Sequence, residues 1–165
     1  MSYKTRLAML LCACFGLHAQ AQEGSYATRS LTPETALQAA RAALESCRKQ
    51  GFQVAVAVVD RAGITQVLLR DRYAGPHTVE VAASKAWTAL SFRSASSALA
   101  QETQPGRPMS GLRNQPRFIA AGGGLPIEGG GSLLGGIGVS GAPGGEQDEA
   151  CARAGLKGVA DLIEF

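Results

Sequence analysis

The run Gly135-Gly-Ile-Gly-Val-Ser-Gly141 constrains this chain more than any other stretch. Glycine alternates with Ile137 and Val139, the pattern of a β-strand that carries side chains on one face only. Glycine weakens a strand, because it brings no side chain to pack and loses much backbone freedom. Its repetition on one face signals close approach by another backbone or by a ligand. A second cluster, Gly122-Gly-Gly-Leu-Pro126, stands just before it.

Gly136-Ile-Gly-Val-Ser-Gly141 also fits the three-glycine dinucleotide pattern, with Asp161 further on. That fingerprint opens a βαβ unit that continues through more strands. Here Pro143 interrupts the helix start and no strand pattern follows, so nucleotide binding is set aside. Ser140 lacks the spacing of a nucleophile elbow. Two distant cysteines and one histidine beyond residue 21 show no metal-ligand spacing.

Lys4 and Arg6 precede an apolar run from Leu7 to Leu17, and Ala19-Gln20-Ala21 is a small-x-small cleavage site. Residues 1–21 therefore read as a secretory signal peptide. The run is shorter than the roughly 20 residues that span a bilayer, so no transmembrane segment is expected. Residues 22–30 read as a short tail and 31–165 as one domain. Cleavage removes two basic residues and no acidic ones, lowering the formal charge from +3 to +1. That balance leaves no electrostatic footprint for nucleic acid. The expected product is periplasmic or secreted. Cys47 and Cys151 survive cleavage; an oxidising compartment permits a bridge, and separate burial as small hydrophobes fits equally.

Thr32 as cap, Pro33 at the first helical position and Glu34 in the first turn predict a first helix, ended by Gly51. Leu37, Ala40, Leu44 and Cys47 give it one apolar face. Val54 to Val59 is a continuous apolar run suited to a strand buried on both faces. Asp60 to Gly63 is a hairpin turn and Ile64 to Arg70 the returning strand. A second helix runs from Thr78 to Leu90, and a short third, capped by Ser94, reaches Glu102. Phe118–Ala121, Gly124–Glu128 and Leu133–Ser140 read as three more strands, the middle one weakened by Pro126. A last helix begins near Glu146, with Asp148 and Glu149 in its first turn. Hairpins and covering helices indicate an α+β domain with an antiparallel sheet of five strands.

His77 lies in the loop before the second helix. An imidazole there is a candidate iron ligand, a proton carrier or a solvated loop residue. Lys85 stands at the edge of a face formed by Ala82, Ala86 and Ala89. It either reaches water along its stem or faces an anionic group in a pocket, with Arg93 assisting. Trp87 and Phe92 suit core packing or a flat apolar ligand.

Val56-Ala-Val-Val59-Asp60 with Gly63, Ala83-Ser-Lys85-Ala86 with Thr88, Ala89 and Phe92, Gly122 to Pro126, and Ile137 to Gly141 leading to Asp148 together resemble the GlcG/HbpS-like family. The resemblance covers residues 31–165. It implies a five-stranded antiparallel sheet flanked by helices, and homo-oligomers of two or more chains. Members include extracellular haem-binding proteins, a domain attached to a corrinoid adenosyltransferase, and proteins encoded beside glycolate oxidation genes. By this resemblance haem is the expected cofactor, and His77, Thr78, Lys85, Phe92, Arg93, Gly122 and Gly123 are the candidate binding residues. His77 or Thr78 would lie near iron, and Lys85 or Arg93 near propionates, on an apolar surface thinned by glycine. The leading expectation is an exported haem-binding protein engaged in sequestration, degradation or sensing. A small hydroxy acid or related carboxylate held by Lys85 is the alternative ligand, and a non-catalytic periplasmic accessory the third reading.

Overall fold

The computed structural model describes residues 24–164, so the expected signal peptide lies outside the described residues. Ten elements follow in order. They are α1 (Pro33–Lys49), β1 (Ala55–Asp60), β2 (Thr65–Arg70), α2 (Thr78–Phe92), α3 (Ser96–Glu102), a 3₁₀ turn (Ser110–Asn114), β3 (Gly124–Gly129), β4 (Ser132–Ser140), α4 (Gly145–Lys157) and α5 (Ala160–Ile163). The strands form one antiparallel sheet in the order β2-β1-β4-β3.

The two central strands define two unlike faces. Val56 pairs with Val139 and Val58 with Ile137, and these side chains meet α1 and α4 in the larger core. The other face is nearly bare: Ala57 pairs with Gly138 and Val59 with Gly136. Helix α2 lies directly on it. A Cβ on Gly138 would stand 2.1 Å from the Ala82 carbonyl oxygen, and one on Gly136 would stand 2.5 Å from that of Ala86. Helix backbone therefore occupies the space that the glycine pattern left open. This corrects the expectation that a ligand would lie on a glycine-thinned surface.

Helix α1 starts as its sequence dictates, with Thr32 Oγ1 accepting the Thr35 N–H at 3.2 Å. Its alanine-rich face lets α4 approach closely, and Cys47 and Cys151 are joined there in a disulfide with Cα atoms 5.5 Å apart. Pro126 is tolerated because β3 is an edge strand. Helix α3 begins after Ala95 rather than being capped by Ser94.

The sheet has four strands, not the five expected. Residues 118–121 do not join it. The Ile119 N–H donates to Thr88 Oγ1 at 3.1 Å, and the Phe118 N–H donates to the Gln115 carbonyl. The segment is thereby held against α2 by side-chain and turn bonds, with Phe118 edge-on to Phe92 at 5.5 Å. A short apolar run is common to a strand and to such a strap; the difference lies in where the backbone donors go.

Candidate functional site

The loop between β2 and α2 is fixed from several sides. Arg48 grips the buried Asp71 through two bonds, Nε to Oδ2 at 2.8 Å and Nη2 to Oδ1 at 3.0 Å. This fork–fork contact lowers the Asp71 carboxyl below its ordinary range and raises the Arg48 guanidinium. Arg70 donates twice to the Ala74 carbonyl, and Thr78 Oγ1 donates to the Gly75 carbonyl at 2.6 Å. The held loop presents Tyr73 and His77 outward. Both line a cleft of about 490 Å³, together with Phe52, Gln53, Thr78, Asp148 and the loop from Ser140 to Gly145.

His77 is exposed, and its ring has no hydrogen-bond partner among the described residues. It precedes the first turn of α2 without capping it. Thr78 also borders the cleft, yet it is 1% exposed and its hydroxyl proton is committed to Gly75.

Lys85 is neither at an edge nor in water. It is 3% exposed, and its ammonium donates to Asp148 Oδ2 at 2.7 Å and to the Val139 carbonyl at 3.0 Å. Asp148 Oδ1 accepts the Ala142 N–H at 3.0 Å. One buried ion pair thus joins α2, the end of β4, the glycine loop and the first turn of α4. The geometry directs Lys85 to the fold, and the Lys85-held carboxylate loses its open pocket.

The remaining candidates lie elsewhere. Phe92 and the exposed Arg93 close α2 at the end opposite His77, fifteen residues or about 22 Å of helix away. Gly122 and Gly123 sit against the start of α4. A Cβ on Gly123 would stand 2.7 Å from both Asp148 Cβ and the Val139 oxygen, and φ is +116°. They serve close packing beside the ion pair. Of the seven candidates, the structure brings only His77 and Thr78 together on an open cleft.

Sequence reasoning missed three residues of this region: Phe52, Tyr73 and Asp148. Asp148 looked like an ordinary acid in a helix's first turn. Its pairing with Lys85, sixty-three positions away, left no local signal. Among the described residues no group of three or more His, Cys, Asp or Glu could hold a metal ion, and no helix is long and apolar enough to cross a membrane.

The fold and site define a class: an α+β domain with one helix pressed onto a glycine face of its sheet and an unpaired imidazole on a rigid rim. The chain belongs to the HbpS-like family of haem-degrading proteins, whose model matches residues 31–157. It is similar to a double mutant of HbpS from Streptomyces reticuli, at 38% identity and TM-score 0.76, covering 94% of this chain and 97% of that one. It is similar to the PduOC–haem complex at 33% identity and TM-score 0.74, covering 78% and 94%. It is 34% identical over 124 residues to the corrinoid adenosyltransferase PduO of Salmonella typhimurium, covering 74% of this chain. The match spans only 37% of that enzyme's length.

Proposed function

We propose that this chain is an exported haem-binding protein that takes haem at the cleft where α2 begins. His77 carries the reading. Its imidazole is exposed on a cleft wall and free of hydrogen-bond partners among the described residues, so a ring nitrogen is available to bind iron. Phe52 supplies apolar surface in the same cleft, and Ala142 and Pro143 add to it between Gly141 and Gly144.

Bound haem would supply iron for oxygen or electron chemistry. The chain's own residues would ligate, pack and exclude water. The Lys85–Asp148 pair fixes the glycine loop that forms one wall, and Arg48 with Asp71 fixes the loop that forms another. Membership of a haem-degrading family and likeness to a haem complex support the ligand. The Cys47–Cys151 bridge supports export, since such bonds persist in oxidising compartments. We extend the proposal to a homo-oligomer of two or more chains.

Titrating haemin into the chain beginning at residue 22 tests this reading. A Soret band that saturates at a fixed ratio to protein is expected. A broad band growing without saturation refutes it. Adding a reductant in air then separates the roles: a persisting band indicates sequestration or sensing, and a decaying band with release of iron indicates degradation.

A further inference from the structure

Tyr73 is 80% exposed on a loop that is otherwise tied down. Its neighbours on both sides are anchored: Asp71 by Arg48, Ala74 by Arg70 and Gly75 by Thr78. The ring is thus held out over solvent by a rigid support, and it lines the same cleft as His77 and Phe52. Neither the core nor any hydrogen bond among the described residues explains it. A tyrosine on a backbone already tied down has only its own two side-chain torsions to lose when a ligand packs on it. Its two flat faces offer apolar area that a small hydroxy acid cannot use and a macrocycle can.

We propose that Tyr73 is a ligand-contact residue that sets the preference of this cleft for a planar macrocycle over a small carboxylate. The proposal rests on the haem reading above and deepens it. Tyr73 contributes ring surface, whereas His77 contributes a bond to iron. The two contributions separate when iron is left out of the ligand. Packing against Tyr73 should persist with metal-free protoporphyrin, and dependence on His77 should not.

The test is a set of absorbance and porphyrin-fluorescence titrations of the chain from residue 22 and its Tyr73→Ala, Tyr73→Phe and His77→Ala variants, using haemin and metal-free protoporphyrin. Tyr73→Ala should weaken both ligands about tenfold, the scale of one aromatic contact. Tyr73→Phe should stay within about twofold of the parent, because it keeps the ring. His77→Ala should move the Soret maximum of haemin and leave protoporphyrin unchanged. The proposal is overturned if Tyr73→Ala binds both ligands like the parent. It is also overturned if Tyr73→Phe is as weak as Tyr73→Ala for haemin alone, which would assign the hydroxyl to iron. If the parent binds neither ligand, the haem reading itself falls, an outcome distinct from both. Circular dichroism of each variant guards against misfolding, which an exposed residue such as Tyr73 should not cause.

Discussion

Asp148→Asn should be among the most damaging isosteric changes this chain can undergo. The Lys85 ammonium has two protein acceptors, Asp148 Oδ2 at 2.7 Å and the Val139 oxygen at 3.0 Å, and both side chains of the pair are at most 5% exposed. An amide in place of the carboxylate leaves a buried cation facing neutral dipoles. Breaking one partner of a buried pair costs about 3–5 kcal/mol. Each kcal/mol lowers Tm by roughly 3 °C in a domain near this size, so Asp148→Asn should melt about 10–15 °C below the parent. Replacing both partners removes the charge and its partner together. Lys85→Met with Asp148→Leu should therefore recover most of the loss, short of the Ala142 hydrogen bond. Urea unfolding followed by circular dichroism, with the two single variants completing a double-mutant cycle, measures the coupling. A loss under about 1 kcal/mol for Asp148→Asn, or a double variant as unstable as the sum of the singles, would refute the reasoning.

Three further outcomes follow from the packing. Gly138→Ala forces a Cβ to within 2.1 Å of the Ala82 oxygen, so it should destabilise by about 3 kcal/mol or more or fail to fold, whereas Gly111→Ala, with open space around it, should change thermal melting little. Cys47→Ala with Cys151→Ala removes a bridge across a sequence separation of 104, and urea unfolding should show a loss of about 3–5 kcal/mol. The Asp71 carboxyl is lowered by Arg48, so its contribution is present above its ordinary value of 3.8 and fades as pH falls through the lower folded value. The raised Arg48 stays charged through the acid and neutral range, leaving Asp71 to set the acid response. The stability gap between the parent and Asp71→Asn, measured by urea unfolding, should be wide at pH 7 and close in the acid range below pH 3.8.

The sequence exposed those features whose causes are local. The cap at Thr32, the doubly buried run before Asp60 and the start of α2 at Thr78 all depend on residues within a turn of each other. The alternation of Gly136 and Gly138 with Ile137 and Val139 even showed that one face of β4 was reserved for a close neighbour. It could not say whether a helix or a ligand would come, because both ask the same of a strand. Residues 118–121 have strand-like composition, but Thr88 captures the Ile119 N–H. Lys85 was visible as an anomaly without its remedy, since Asp148 comes from another helix. His77 and Thr78 were legible as a loop–helix junction, whereas Phe52 before β1 and Tyr73 after β2 meet at the cleft only because Ala55 pairs with Arg70 at the open end of the hairpin.

The central claim is that His77 ligates haem iron at this cleft. The most direct measurement is the Soret-region spectrum of the haemin complex of His77→Ala beside that of the parent, each at saturation. The account predicts a saturable band in the parent whose maximum moves in the variant. The same maximum and the same saturation point in both proteins would contradict it, placing iron on another residue.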